Sequence, residues 1–187
     1  NGGFYIKKGT NYKLVPGLST FVDKSFECLT IECWLGPKKF VVSSVYRSPN
    51  PPTNLSTSAH LSCFDTQLNS LLSNLSNLNS PAYVCLDSNL NQMYTNPNHP
   101  SYDYFSSILT NGFVQCITKA TRIADRSSTL IDHILTNQSS NEITCGVVIG
   151  DISDHFITFV LIPSSSPKIK PASKKIRTFS SHNISKF

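Results

Sequence analysis

No hydrophobic run in the 187 residues approaches the roughly 18 that a membrane-spanning helix requires, so a helical span within this stretch is excluded. The six cysteines, at 28, 33, 63, 85, 116 and 145, are even in number and so invite a disulfide framework, but they include no CxxC pair and their spacings argue against one. All but Cys63 lie in or beside apolar, strand-like stretches, where a free thiol behaves as a small hydrophobe. No internal repeat is visible. The opening "NGGFYIKK" has no initiator Met, no basic n-region and no apolar h-region, so no signal peptide is read there. A secreted chain is therefore not expected. The sequons at Asn54, Asn74, Asn137 and Asn183 then read as products of an Asn- and Ser-rich composition.

Acid is missing from one place. Residues 164–187 carry Lys168, Lys170, Lys174, Lys175, Arg177 and Lys186 and neither Asp nor Glu. Taking those six from the sixteen basic residues leaves ten against eleven acids, so the net charge of +5 belongs to the tail. A basic tail on a nearly neutral domain suits a polyanionic partner, and it suits a solvated linker equally well.

What is present is the material of a core: 39 % hydrophobic residues, eleven Phe and seven Tyr in a length typical of one domain. "GFYIKK" reads as a strand. "SFECLTIECWL" (25–35) and "FVVSSVYR" (40–47) alternate around a Gly36–Pro37 turn and read as a hairpin. Leu61, Phe64, Leu68, Leu71, Leu72, Leu75 and Leu78 recur at three- and four-residue steps and predict a helix with one buried face. "PAYVCLD" (81–87) reads as a buried strand, and 101–113 as a helix stopped by Asn111–Gly112. "VQCIT" reads as a short extended piece, with three more strands at 130–136, 142–149 and 155–162. Strands interrupted by helices give an α/β or α+β class, and the composition shift puts the domain at 1–163 with a linker at 164–187.

Three strand ends carry polar groups with chemical potential. "VCLDSNLN" ends its apolar run in Asp87, with Asn89 two residues on, and the two share a face if the extended conformation continues. "TLIDHILT" sets Asp132 between Ile131 and His133 inside an apolar run, where a carboxylate is costly without a partner. His133 points to the opposite face of such a strand, so His155 of "GDISDHFITFV" is the better partner for Asp132. Asp154 is then left to hold Mg²⁺ with other oxygens, while Asp151 reads as turn. Such a set can activate water against a phosphoryl centre. Each stretch alone also has a plainer reading: a strand-to-turn signal, a satisfied buried pair, a polar loop.

Taken in order, "SSVYRSPN", "VCLDSNLN", "STLIDHILTN" and "ISDHF" resemble the endonuclease/exonuclease/phosphatase superfamily, and within it the apurinic-type endonuclease domain of LINE-like (non-LTR) retrotransposons. "GFVQCITKATRIADRSSTLIDHILTN" is similar to the stretch before that domain's penultimate catalytic strand. "KKIRTFSSHNISKF" is similar to the connector toward a reverse transcriptase.

The resemblance implies a DNase I-like two-layer β-sandwich of mixed sheets flanked by helices, lacking its first strand or strands. It implies an endonuclease that nicks target DNA with Mg²⁺ or Mn²⁺. In that scheme Asp87 activates water and Asn89 helps orient it. Asp132 orients His155, which meets the phosphate, as does Tyr46, and Asp154 approaches the metal. Arg47 and Arg122 are added as DNA-backbone contacts on charge and loop position alone. DNA, RNA through a downstream reverse transcriptase, and a nuclear or nucleocytoplasmic location follow as expected partners and place. Two departures stand out: Leu86-Asp87-Ser88-Asn89 replaces the family's Gly-Asp-Phe-Asn, and the family's preceding Asn and metal-binding Glu are not in this sequence. The second departure predicts an impaired enzyme. The alternatives are a non-catalytic remnant that binds nucleic acid through its tail, and a phosphatase of the same fold acting on a lipid headgroup.

Overall fold

The computed structural model describes residues 2–93, 101–124, 127–138, 143–150 and 153–162. Asp151, the domain boundary near 163 and the basic segment 164–187 lie outside them.

The hairpin forms as the alternation predicts. Strands β3 (Phe26–Leu35) and β4 (Lys38–Tyr46) pair antiparallel through a two-residue turn, where Gly36 takes φ +60, a conformation glycine adopts without steric penalty. Two short strands precede them, β1 (Asn11–Leu14) and β2 (Thr20–Val22), and both pair with β3. The sequence alone offers no sign of either: they are exposed and exist through pairing with β3.

Helix α1 (Thr57–Asn77) follows, its start capped by Ser56 Oγ, which accepts from the Ala59 amide at 3.2 Å. Asn79, at φ +48, takes the left-handed turn just past its end. The buried stripe is His60, Phe64, Leu68, Leu71, Leu72 and Leu75. Leu61 packs at its edge and Leu78 is exposed beyond the last turn. The helix returns the chain to β5 (Ala82–Asp87), which lies parallel to β4. Helix α2 (Ser101–Thr110) ends at Asn111 and Gly112, whose φ is +76.

The short β6 (Val114–Gln115) and β9 (Asp132–Thr136) complete a seven-stranded mixed sheet in the order β1-β3-β4-β5-β9-β6, with β2 also on β3. Between β6 and β9 the chain makes a small ribbon, β7 (Arg122–Ala124) with β8 (Ser127–Thr129). The final pair, β10 (Thr144–Val148) and β11 (Ile157–Leu161), forms a separate two-stranded layer.

Both helices cover one face of the large sheet. Phe26, Val41, Val45, Val84 and Leu86 point into that core and meet Phe64, Leu68, Leu72, Tyr104 and Ile108. The opposite face carries the β10–β11 layer, through Val147 and Val160 against Leu130 and Ile134. Residues 3–8, expected as a strand, make no ladder among the described residues, because a strand needs a neighbour in register. Phe4 and Ile6 instead pack on this same face with Ile31, Phe40, Tyr83 and Val160. The result is an α/β molecule with sheet layers in contact and helices on one outer side.

Candidate active site

One row of side chains crosses the large sheet where β4 and β5 end and β9 begins. Glu27 is paired with Tyr46, Tyr46 with Asp87, and Asp87 with Asp132. Residues paired directly across strands point to the same face, and this row faces away from the helices. Tyr46, Asp87 and Asp132, with Ser44, Cys85 and Thr158, line a cleft of about 290 Å³. Glu27 escaped the sequence reading because nothing in "SFECL" distinguishes it; only the register places it in the row.

His155 reaches the row from the segment leading into β11. Its Nδ1 lies 3.2 and 3.1 Å from the two oxygens of Asp132. A turn in which Ser153 Oγ accepts from the His155 amide at 3.0 Å shapes the approach. Thr121, fully buried, fixes both partners. Its hydroxyl accepts from the amides of Ile131 and Asp132 at 3.2 and 3.0 Å, and its carbonyl accepts from Phe156 at 2.7 Å. Its only signal in the sequence is its place next to Arg122 in "KATRIADRSST".

Ligand atoms of Asp87, Asp132 and His155 all lie within 4.8 Å of one another. Burial, and then the neighbouring Asp132 carboxylate, push the Asp87 carboxyl above its ordinary range; the nearby His155 works the other way. Two carboxylates and an imidazole converging at a cleft form an oxygen-rich set that fits a hard divalent cation such as Mg²⁺ or Mn²⁺.

Asp154 is outside that group. Its Oδ2 accepts from Arg122 Nε at 2.7 Å on the exposed lip, and this bond holds its carboxyl below the ordinary range. Asp154, expected as a metal ligand, therefore lies apart from the group that Asp87, Asp132 and His155 form. Arg122 is exposed as expected.

Arg47 is the clear correction. It is 4 % exposed, turned inward beneath α1, so it does not present itself to a DNA backbone. Its Nη1 donates to the Ser88 carbonyl at 3.2 Å, its Nη2 meets His60 Nδ1 at 3.3 Å, and the guanidinium lies over the Phe64 ring. Its backbone amide donates to the Asp87 carbonyl, and its own carbonyl accepts from Asn89 Nδ2 at 2.8 Å. The residue ties the end of β4 to the turn that carries Asp87.

Asn89 also differs from expectation. The strand does not continue past Asp87: Asn89 has φ +51, a left-handed conformation that Asn tolerates. It therefore sits in a turn beside Asp87, its amide donating to Asp87 Oδ1 at 3.3 Å.

The unusual Ser88 has a partner that explains it. Its hydroxyl is buried, donates to the Ile131 carbonyl and lies 2.9 Å from Nε2 of His133. His133 is itself buried, with Nδ1 2.8 Å from Gln115 Nε2, and burial lowers it to about 4, so it is neutral. Ser88 and His133 form an internal polar bridge between β5 and β9.

A larger groove of about 930 Å³ runs between α1 and α2, lined by Arg47, Asp65 and Asp103 among others. It contains none of Asp87, Asp132 and His155.

No protein-family model matches the chain, and no curated protein matches it by sequence. Its fold does have solved counterparts. The endonuclease domain of TRAS1, a telomere-specific non-LTR retrotransposon, superposes with a TM-score of 0.60 at 12 % identity, covering 85 % of this chain and 71 % of that one. A protein of the endonuclease/exonuclease/phosphatase family shares this fold as well. It comes from Leptotrichia buccalis and matches at TM-score 0.53 and 14 % identity, over 83 % of this chain and 61 % of its own. A Staphylococcus aureus beta toxin variant with bound magnesium ions matches at 0.50 and 9 %, over 71 % and 53 %. The chain thus spans between about half and seven tenths of these three structures. Among the described residues, no helix is long and apolar enough to cross a membrane.

Proposed function

We propose that this chain carries the strand-end site of a divalent-cation-dependent DNA endonuclease from a non-LTR retrotransposon. The observation that carries the reading is the Asp132–His155 pair, 3.1 Å apart, beside Asp87 on a single row of the sheet. The likeness in fold to the TRAS1 domain supports DNA as the substrate class, and the magnesium in the beta toxin supports the choice of cation.

In this reading Asp87 accepts the proton of the attacking water, and Asn89 in the adjoining turn orients it. Asp132 engages His155 through Nδ1, which leaves Nε2 as the ring atom for a phosphate oxygen. Tyr46, next in the row, directs its hydroxyl to the same phosphate. Asp87 and Asp132 would hold Mg²⁺ or Mn²⁺, which supplies charge neutralisation at the phosphoryl centre. Arg122 at the lip contacts the DNA backbone, and Asp154 pairs with it there. Segment 164–187 leads toward a reverse transcriptase that handles RNA, and target DNA puts the chain in the nucleus.

The test is nicking of supercoiled plasmid by the purified 187-residue chain in Mg²⁺ or Mn²⁺. Nicking that His155→Ala lowers by about 10²–10⁴-fold supports the reading. No nicking, and no change in melting temperature with either cation, would leave the non-catalytic remnant. Hydrolysis of a phosphoinositide headgroup in place of DNA would leave the phosphatase.

A further inference from the structure

Cys85, Ile134 and Cys116 stand in a line across three strands. Cys85 of β5 is paired with Ile134 of β9, and the Cys116 amide donates to the Ile134 carbonyl at 2.8 Å on the other side. The three side chains share the face that receives the β10–β11 layer. From that layer Cys145 faces them. Its Sγ lies 3.1 Å from the Cys116 carbonyl oxygen, and Cys116 and Cys145 pack against the same apolar cluster of Ile117, Leu130 and Ile134. Both thiols are only partly buried, and both line an open cleft of about 530 Å³ with Val147, Phe156 and Phe159. All six cysteines are free. Among the described residues the thiols do not gather into a metal-binding group; Asp87, Asp132 and His155 make the only such cluster.

We propose that Cys116 and Cys145 are a disulfide-forming pair that closes under an external disulfide such as oxidised glutathione, bonding the seven-stranded sheet covalently to the β10–β11 layer. Burial, reinforced by the adjacent Cys145 thiol, pushes Cys116 up to about 11, so Cys116 is the poorer first nucleophile. The Cys145 thiolate attacks one sulfur of glutathione disulfide, giving a mixed disulfide and releasing one glutathione thiolate. The Cys116 sulfur, its proton passing to solvent, then attacks the Cys145 sulfur of that mixed disulfide and expels the second glutathione thiolate. The two protein thiols lose two electrons, and the glutathione disulfide is reduced to two thiols. The new bond closes a ring of about 30 residues that contains Asp132, and it anchors the layer whose second strand begins just after His155. The site depends on that layer staying in place, whatever it hydrolyses.

The full chain, oxidised with glutathione disulfide without denaturant, is expected to lose two hydrogens by intact mass. Peptide mapping should then join the peptides that contain Cys116 and Cys145. Closing such a ring should raise the melting temperature by about 10 °C, reversed by dithiothreitol. Cys116→Ser and Cys145→Ser should each abolish the bridge and the rise, and in Cys116→Ser the glutathione should remain on Cys145. A bridge that uses Cys85, a stable glutathione adduct on the unsubstituted chain, or a bridge without a rise in melting temperature would each overturn the proposal. The mapping reads the bond itself and needs no variant to fold.

Discussion

The two faces of the large sheet divide the work of the molecule. On the helix side of β5, Ala82, Val84 and Leu86 are at most 3 % exposed. On the other side the same strand presents Tyr83, buried under the incoming chain, then an exposed Cys85, then a half-buried Asp87. Alternation along one strand therefore gives one surface that is all packing and one that grades from packing into solvent within three side chains. Stability belongs to the first face because removing apolar area from water is the dominant favourable term in folding. The proposed site belongs to the second because a carboxylate must be partly desolvated to have its pKa raised, yet reachable by substrate.

The largest effect expected from breaking this division is on the open face and is purely functional. Asp132→Asn leaves the shape of the side chain but weakens its hold on the His155 imidazole. Nicking should fall by about 10²–10⁴-fold, while urea denaturation shifts by less than about 1 kcal/mol because the pair is partly solvated. On the helix face the pattern reverses. Phe64→Ala removes a fully buried ring that contacts Phe26 and Tyr104, and unfolding free energy should drop by about 3–5 kcal/mol. A Phe64→Ala protein that melts like the parent would show that the helices are not what holds the sheet.

Two buried titratable groups sharpen the comparison through pH. His133, bridging strands at the edge of the site, is lowered from 6.5 to about 4 by burial. The folded state then binds fewer protons than the unfolded state between those values. Its contribution is full above pH 6.5 and is lost as pH falls toward 4, a span of about 3 kcal/mol. Asp65, on the helix side, is raised from 3.8 to about 6, chiefly by burial and despite the Arg47 cation. Its protonated form is favoured in the folded state, so its contribution is full below pH 3.8 and is lost as pH rises through 6, again by about 3 kcal/mol. The two trends oppose each other over the same window. His133→Gln should therefore expose a stability that falls between pH 4 and 6, and Asp65→Asn one that rises between pH 4 and 6.5. Chemical denaturation at stepped pH checks both, and parallel curves for the two variants would refute the assignment of opposite signs.

These contrasts also explain which features are legible in the sequence. The stripe from Phe64 to Leu75 and the alternation of 26–35 and 40–46 are periodic signals imposed by burial on one side, so they survive in the sequence. The Asp132–His155 juxtaposition follows from the cost of a lone carboxylate in an apolar run together with the opposite facing of His133, and both are local arguments. What was illegible depends on neighbours distant in sequence. β1, β2 and the β7–β8 ribbon are short and mostly exposed and exist through pairing. Residues 3–8 have a strand's pattern but no ladder among the described residues. Arg47 resembles a surface cation until the parallel end of β4 places it under α1. Asn89 leaves the row because a left-handed backbone turns it, and no periodicity records that turn.

The smallest expected effect is the most direct test of the two-face division, because it compares adjacent residues of one strand. Val84 and Cys85 have similar size and differ in the face to which they point. Val84 is fully buried among Phe64, Leu68 and Leu72 in the helix-side cluster, whereas Cys85 opens to the cleft beside Asp87. Truncating Val84 to Ala removes two methyl groups from a close-packed interior and should lower the unfolding free energy by about 1–3 kcal/mol. Truncating Cys85 to Ala removes a sulfur that already borders water, and the shift should stay within about 0.5 kcal/mol. Urea titrations of the two variants, run under reducing conditions so that no disulfide intervenes, decide the matter. Equal losses would mean that Cys85 is covered in solution and that the cleft is closed over it, which would remove the open face on which the proposed site depends.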